Sequence, residues 1–454
     1  MTRRRPGWRP GALVCAVAVA ATAIAGFAVA HPRSAPTPAA AAPTGATSVG
    51  AQPAGNPPAN TKNDPLAREI RALQDTARLK PDDYATLAQL GGDYVQQAKI
   101  TVDPSYYPKA EGVLQRSLSI NSTVNFQAMA GQAALKAAEH NFAAARDWAQ
   151  RGLAINAYSA TLYGSLTDAQ TQLGQYDLAF AAAQHMLDLQ PGIAALTRAE
   201  YVFELRGQLP QAREVLNRAL TAANNPSDQA FVHQTAAELA MTTGNPVTAL
   251  QQAQAGLLAD PTYRSLLQTQ ARAEAALGMV DAAVADYDRV VAAVPQPQYL
   301  VEYGEYLDSL GRSTQAQQQY ALFSTEATLF TTNGVTLDTD PTLFYADHGD
   351  PARALRYGQA GIQGRPFLEM QDAYAWALHV NHRDPEALGY SQAAMSLGTQ
   401  NALFSFHRGI IEMTLGQHAA AVTDLQHALA TNPTFSPRNA PLAQAAIKQL
   451  LSHP

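Results

Sequence analysis

The sequence predicts an all-α protein, an α-solenoid of about ten repeats that each contain two helices and a turn. Three marks predict this fold: an alanine that returns every 33–38 residues, a glycine that often lies five residues before it, and a proline that often lies twelve residues after it. The alanines are Ala110, Ala145, Ala179, Ala212, Ala249, Ala283, Ala316, Ala354, Ala387 and Ala421. A period of this size is typical of one supersecondary unit stacked many times.

Each mark has its own physical cause. A glycine adopts the left-handed conformation that ends a helix without a steric penalty, and a proline cannot continue a helix interior. We therefore expect the glycine to end the first helix of a unit and the proline to follow the second. We expect the alanine where two helices approach closely, because a larger side chain would push them apart. The glycines are Gly174, Gly207, Gly244, Gly278, Gly311, Gly349 and Gly416, and the prolines are Pro191, Pro261, Pro295, Pro366 and Pro433.

The segments between these marks have helical periodicity. In residues 176–189, apolar side chains recur at i, i+3 and i+4 from Leu178 to Leu187, which predicts an amphipathic helix. One unit alone cannot bury its apolar face, whereas stacked units bury a continuous core. Two further helices are predicted at the ends of the array, over 64–80 and over 437–451, and the second would serve as a capping helix.

Together these marks resemble the tetratricopeptide repeat family. One unit shows the family pattern well, with Tyr163, Leu166, Gly174, Tyr176, Ala179, Ala183 and Pro191. The resemblance covers roughly residue 84 to the C-terminus, and the eighth position of the pattern departs from it as Thr167 in one unit and Glu200 in another. The resemblance implies a right-handed superhelix that binds its ligands in a concave groove lined by the first helix of each unit. The alanine-rich style indicates a bacterial, actinobacterial-like member of the exported type.

Two intervals between the alanines are longer than the rest, at 37 and 38 residues. The second contains the segment from Thr325 to Pro341, in which Asn333-Gly334 is a turn dipeptide among β-branched residues. We predict an irregular segment there, either an insertion on the outer edge or a hinge. The hinge would divide the repeats into an N-terminal array (64–328) and a C-terminal array (329–454).

The N-terminus has the composition of an export signal. Four arginines precede an uncharged apolar run over 11–30, which ends in a small-x-small cleavage pattern at Ala28-Val29-Ala30. Residues 1–30 therefore predict a signal peptide and an extracytoplasmic protein, secreted or associated with the cell envelope. The alternative is an uncleaved membrane anchor over 11–30. Residues 31–63 are rich in Ala, Pro, Gly, Ser and Thr, which predicts a disordered linker.

Charge and cysteine content limit the kinds of partner. The chain has 31 basic and 37 acidic side chains, and 27 basic side chains remain once the four head arginines are removed. We expect a protein or peptide partner and no nucleic acid, because phosphate binding needs a basic face. A membrane is expected as a partner only through an uncleaved N-terminal segment. Cys15, the one cysteine, lies in the predicted signal, so no disulfide or thiolate chemistry is expected.

The sequence contains no phosphate-binding glycine loop, no His-Glu-x-x-His and no Gly-x-Ser-x-Gly. His379, His382 and Glu386 have helical spacing, but Asp384-Pro385 interrupts a helix there, so metal ligation is not expected. We predict no catalytic residue, no cofactor and no metal.

Candidate partner-binding residues follow from the resemblance, which assigns ligands to the groove. Carried over to this sequence, the groove positions are Asp168, Tyr201, Glu204, Gln234, Glu238, Gln268, Arg272, Glu302, Glu305, Asp308, Asp372, Trp376, His379, Phe406 and His407. Glu302, Glu305 and Asp308 are spaced by three and predict an acidic stripe. Three residues nearer the C-terminus predict an aromatic patch, namely Trp376, Phe406 and His407.

Two interpretations of this groove are open. In one, the groove takes a basic or polar extended peptide, with an apolar anchor near Trp376. In the other, the acids are merely solvated, and Trp376 and Phe406 pack between adjacent units. The Lys, Asn and Arg set with which some family members clamp an acidic C-terminal tail is not present together, so such tails are not expected in the groove.

Three functions are compatible with the sequence. The first is an extracytoplasmic scaffold or adaptor that mediates protein–protein interaction and has no catalysis of its own. The second is an assembly or export factor tethered to the membrane. The third is a ligand-binding protein or envelope enzyme with a site in the groove, for which Asp372, Trp376 and His379 are the nearest candidates.

Overall fold

The computed structural model describes residues 65–101 and 103–452, so the predicted signal and linker lie outside the described residues. Within the described residues the chain forms 22 helices and no strand, which confirms the all-α solenoid. The first helices of the ten units are α2 (Tyr84–Thr101), α4 (Phe126–Ala138), α6 (Ala160–Gln172), α8 (Ile193–Leu205), α10 (Pro226–Thr242), α12 (Arg264–Ala276), α14 (Pro297–Ser309), α16 (Thr339–Asp347), α18 (Leu368–His379) and α20 (Ala402–Thr414).

The second helices pack against the first. They are α3 (Tyr106–Ile120), α5 (Phe142–Ile155), α7 (Tyr176–Leu189), α9 (Leu209–Ala222), α11 (Pro246–Ala259), α13 (Val280–Ala293), α15 (Ser313–Thr332), α17 (Pro351–Gly364), α19 (Asp384–Ala394) and α21 (His418–Thr431). The helices predicted at the two ends are present as α1 (Pro65–Leu79) and α22 (Asn439–Ser452). None of the described helices is long and apolar enough to cross a membrane.

The three sequence marks have the conformations expected of them. All ten alanines lie in second helices and are fully buried. All seven glycines have left-handed backbone, with φ between +66° and +82°. His140 and His382 have the same conformation at the equivalent turns of two other units, at φ +61° and +60°. The repeat pattern therefore reports both the helix ends and the close helix packing.

The segment predicted to be irregular is mostly helical, which corrects that prediction. Helix α15 continues to Thr332, and only residues 333–338 are irregular before α16 begins. The threonines of this segment are accommodated because their hydroxyls donate to carbonyls four residues back, as Thr328 does to Ser324 O at 2.9 Å. The boundary between 328 and 329 lies inside α15, and the Phe323 ring packs on Phe344 of α16 at 4.4 Å. The division into two arrays stays a prediction.

Successive turns of the superhelix contact each other along a line that we call the seam. Hydrogen bonds join residues 191–196 positions apart: His140 Nδ1 donates to Thr336 O, the Leu368 amide donates to Tyr176 Oη, and Asn432 Nδ2 donates to Met241 O, each at 2.8 Å. Because a repeat has 33–38 residues, five to six repeats complete one turn.

A buried ion pair lies at the centre of the seam. The Arg365 guanidinium forms a bidentate pair with Asp338 and also donates to Gln172 Oε1 at 2.7 Å, across the seam. Both members of the ion pair are nearly inaccessible, with side chains 7 % and 2 % exposed. Burial and the nearby Arg365 charge lower the pKa of His140 to about 4, so this imidazole is neutral at neutral pH.

Candidate functional site

The inner face of the superhelix carries a polar ladder across three first helices. Arg272 of α12 donates from Nη1 to Glu238 of α10 at 2.8 Å, and its Nε lies 3.9 Å from Glu302 of α14. Gln298 and Gln268 donate to the Glu302 carboxylate, and Thr269 donates to Glu238 at 2.5 Å. Two carboxylates therefore share one guanidinium, and the neighbouring side chains supply the remaining hydrogen bonds that buried charges need.

The three acids of the predicted stripe on α14 face three different neighbours. Glu302 faces the preceding unit through the ladder, whereas Glu305 faces the next unit, where its Oε1 lies 3.6 Å from His348 Nε2. Asp308 faces the second helix of its own unit and accepts a hydrogen bond from Tyr320 Oη at 2.9 Å. Glu302 is therefore engaged in the fold, and Glu305 and Asp308 are the members of the stripe that share a cavity.

This cavity has a volume of about 200 Å³ and lies between α14, α15, the end of α16 and the segment before α22. We call it the acidic cavity. Its lining residues are Glu305, Asp308, Ser309, Tyr320, His348, Pro437 and Arg438. The Arg438 guanidinium is already held by Asp347, donating to its carbonyl oxygen at 2.6 Å and approaching its carboxylate at 3.7 Å. The cavity and its border therefore hold three carboxylates, namely Glu305, Asp308 and Asp347, and one guanidinium. The site is acidic when His348 is neutral.

The environment of Glu305 is poorly solvated. Burial raises the pKa of its carboxyl, and the nearby His348 side chain offsets part of that rise. Burial and the hydrogen bond to Asp308 raise the pKa of Tyr320, so that its hydroxyl stays protonated and donates. A cation that enters the cavity would meet a poorly solvated Glu305 carboxylate, which strengthens the attraction.

The predicted aromatic patch is brought together, but inside the core. Trp376 stacks on His407 at 4.3 Å and on His379 at 4.7 Å, and lies 5.9 Å from Phe406. Trp376 is 8 % exposed, and Phe406, His407 and Asp372 are at most 1 % exposed. Asp372 accepts from His407 Nδ1 at 2.8 Å. These side chains pack between adjacent units, as the second interpretation expected of Trp376 and Phe406, whereas the acids Glu302 and Glu305 are not merely solvated.

The three residues that had metal-like spacing turn to different partners. His379 Nδ1 donates to Asp384 at 2.5 Å, and Glu386 pairs with Arg383 at the surface. His382 lies in the left-handed turn between α18 and α19. Another groove candidate, Tyr201, is buried and donates to Glu369 of α18 at 2.9 Å.

A second group of acids lies where α8 meets α18. Glu200 is 1 % exposed, and neither of its carboxylate oxygens has a hydrogen-bond partner. Its neighbour Glu204 has its pKa raised to about 8 by burial, by Glu369 and by Glu238. The departure of Glu200 from the repeat pattern was the sequence signal for this group.

Sequence reasoning missed five of the seven residues that line the acidic cavity, namely Ser309, Tyr320, His348, Pro437 and Arg438. His348 belongs to a turn that the repeat pattern predicts, and Tyr320 occupies an ordinary packing position of α15. Arg438 lies 130 residues beyond Asp308 in the sequence. No local spacing joins Tyr320, His348 and Arg438, so only the folded chain brings them together.

The fold and its inner face define this chain as a helical-repeat protein. No protein-family model matches it, and no curated protein matches it significantly. Among solved structures, it is similar to a tetratricopeptide repeat protein from Parabacteroides merdae, with 17 % identity over 57 % of this chain and 98 % of that chain, at a TM-score of 0.32.

Two further solved structures are similar over most of the chain. Yeast Tom70 has 14 % identity over 84 % of this chain and 96 % of that chain, at a TM-score of 0.36. The human IFIT1 dimer with PPP-AAAA has 12 % identity over 81 % and 94 %, at a TM-score of 0.43. No functional residue is carried over from these structures.

Proposed function

We propose that this protein is an interaction scaffold without catalysis of its own, and that its acidic cavity receives a basic side chain of a partner protein or peptide. The observation that carries the proposal is the convergence of Glu305 and Asp308 on one cavity of about 200 Å³. A small, partly desolvated pocket that holds one anchoring side chain is a common form of binding hot spot. The charge of this pocket suits lysine or arginine.

The alternative site around Asp372, Trp376 and His379 has weaker support. Asp372 and Trp376 are buried between adjacent units, and His379 is paired with Asp384. A ligand would have to displace these contacts before it could reach the side chains. We therefore favour a scaffold over a groove-site enzyme.

Peptide binding tests the proposal directly. We expect a labelled lysine-rich decapeptide to bind the purified chain more tightly than its glutamine counterpart, and added salt to weaken binding because the contact is electrostatic. Glu305→Gln and Asp308→Asn should each weaken binding by about fivefold or more, since a hydrogen bond to a charged group contributes more than a neutral one. Fluorescence anisotropy would measure both effects.

Asp281→Asn is the matched control, because Asp281 is an exposed carboxylate on α13 away from the cavity. Equal affinity of the wild type, Glu305→Gln and Asp308→Asn would refute the role of the cavity. Salt-insensitive binding would refute its electrostatic basis.

The proposal includes an extracytoplasmic location, which the signal-like composition of residues 1–30 supports. N-terminal sequencing of the protein from its host would test it. A mature chain that begins at His31 would support an exported scaffold. A chain that keeps residues 11–30 and fractionates with membranes would instead support the tethered assembly or export factor.

A further inference from the structure

The stack of repeats is irregular where α15 of one unit meets α16 of the next, and a second cavity opens there. Helix α15 has 20 residues, whereas the second helices of the neighbouring units, α13 and α17, have 14 each. Helix α16, which follows it, has only nine. The cavity between α15, α16 and α17 has a volume of about 550 Å³, a size typical of ligand sites. We call it the basic cleft.

The chemistry of the basic cleft is opposite to that of the acidic cavity. It is lined mainly by two arginines, two tyrosines and two hydroxyl side chains, namely Arg353, Arg356, Tyr345, Tyr357, Ser324 and Thr328. No carboxylate is among its lining residues. A cleft of this composition on a protein with net charge −6 is a local reversal of the overall charge.

One arginine is fixed in position by the residues around it. The Arg353 guanidinium lies over the Tyr345 ring at 5.1 Å and donates to the Tyr345 hydroxyl at 3.3 Å. Its Nε lies 3.3 Å from Asp350, whose other oxygen accepts the Arg353 amide at the start of α17. This arrangement lowers the entropy cost of binding an anion, because the side chain is already oriented.

The other arginine is free to accept a ligand. Arg356 lies one helical turn further along α17, is exposed, and has no ion pair within the described part of the chain. The rings of Tyr345 and Tyr357, which also line the cleft, stack at 5.7 Å with an interplanar angle of 13°. The cleft therefore offers two guanidinium groups and a stacked pair of aromatic rings.

We propose that the basic cleft binds an acidic peptide segment of a partner protein, whose carboxylates pair with Arg353 and Arg356 and whose backbone lies along the tyrosine pair. Paired guanidinium groups match carboxylates in geometry as well as charge. A short acidic segment fits the local charge reversal, whereas a nucleic acid would extend its phosphates beyond the cleft over a protein of net charge −6. The site is separate from the acidic cavity and does not depend on the function proposed for it.

The test uses the purified full-length chain and a labelled decapeptide with alternating glutamates, measured by fluorescence anisotropy in about 0.15 M salt. We expect the affinity of the glutamate peptide to be higher than that of its glutamine counterpart by about tenfold or more, because the glutamine peptide cannot form the two charge-assisted pairs. Arg356→Gln should weaken binding about fivefold, and the double variant with Arg353→Gln should weaken it further.

Arg218→Gln on α9 is the matched control, because Arg218 is an exposed arginine on another second helix. It should leave acidic-peptide binding unchanged, and Arg356→Gln should leave lysine-peptide binding unchanged. Equal affinities of Arg356→Gln and Arg218→Gln for the glutamate peptide would overturn the proposal. Tighter, Arg356-dependent binding of an oligonucleotide of equal charge would also overturn it, in favour of a phosphate ligand.

Discussion

Gly207 and Gly278 occupy the same position of the repeat but have different surroundings. Both have left-handed backbone, at φ +66° and +72°. A Cβ on Gly278 would meet open space, whereas a Cβ on Gly207 would lie 2.4 Å from the carbonyl oxygen of Gly398, one superhelical turn further on. Gly244 is packed in the same way against Thr431 O. The same sequence mark therefore ends a helix everywhere, but at the seam it also permits two turns of the superhelix to touch.

Removing the ion pair of the seam should cause the greatest loss of stability. Arg365→Met leaves Asp338 buried without its partner, which should lower the free energy of unfolding by about 3–5 kcal/mol. Arg383→Met removes the exposed Arg383–Glu386 pair, whose side chains are 41 % and 55 % exposed, and should cost about 0–1 kcal/mol. Urea unfolding of both variants would measure the difference. Equal losses would mean that the seam contributes no more than an ordinary surface.

The glycine comparison predicts the next effect. Gly278→Ala should cost about 1–2 kcal/mol, the strain of a left-handed alanine. Gly207→Ala should cost the same strain and a further 1–3 kcal/mol or so, because the methyl group overpacks the seam. Urea unfolding of this pair isolates the seam from the helix end. If both variants lose the same free energy, the two turns are not in contact at Gly207.

The weakest of these effects is a pH dependence of folding stability, which arises where successive turns of the superhelix meet. The pKa of Glu204 is about 8, raised by burial and by Glu369 from the next turn. Between the ordinary glutamate pKa and 8, the folded state binds more protons than the unfolded state, so stability falls as pH rises through this window. From pH 6.5 to 8 we expect the thermal midpoint to fall by roughly 1–3 °C.

Glu204→Gln should reduce this decline, because the amide does not titrate, and the raised pKa values of Glu274, Asp340 and Glu412, each about 7, should sustain the remainder. Thermal unfolding followed by circular dichroism would measure both chains across the same pH range. The range begins at 6.5 because His140, with its pKa lowered to about 4, makes stability rise with pH below that point. A wild-type midpoint that is constant or rises from pH 6.5 to 8 would contradict the prediction.

The candidate site was predictable only in part. Glu305 and Asp308 follow from their spacing on a first helix, and the structure places both in one cavity. Glu302 has the same spacing, yet it faces Arg272. Trp376 and Phe406 were predicted to be near each other, and they are, but in the core. Spacing on a helix gives the direction of a side chain, whereas its exposure depends on the units packed around it.

The repeat can be read from the sequence, because the helices, their glycine ends and the buried alanines each depend on residues within one unit or its neighbour. The seam, the acidic cavity and the basic cleft arise only in the folded chain. The basic cleft depends on the packing of three consecutive helices, and the acidic cavity brings together residues from 305 to 438. The seam depends on how far each unit rotates against the next, because small rotations add up over five or six units until residues about 190 positions apart touch. A 34-residue pattern contains no signal for that sum, so contacts such as Arg365 with Gln172 appear only once the whole superhelix is assembled.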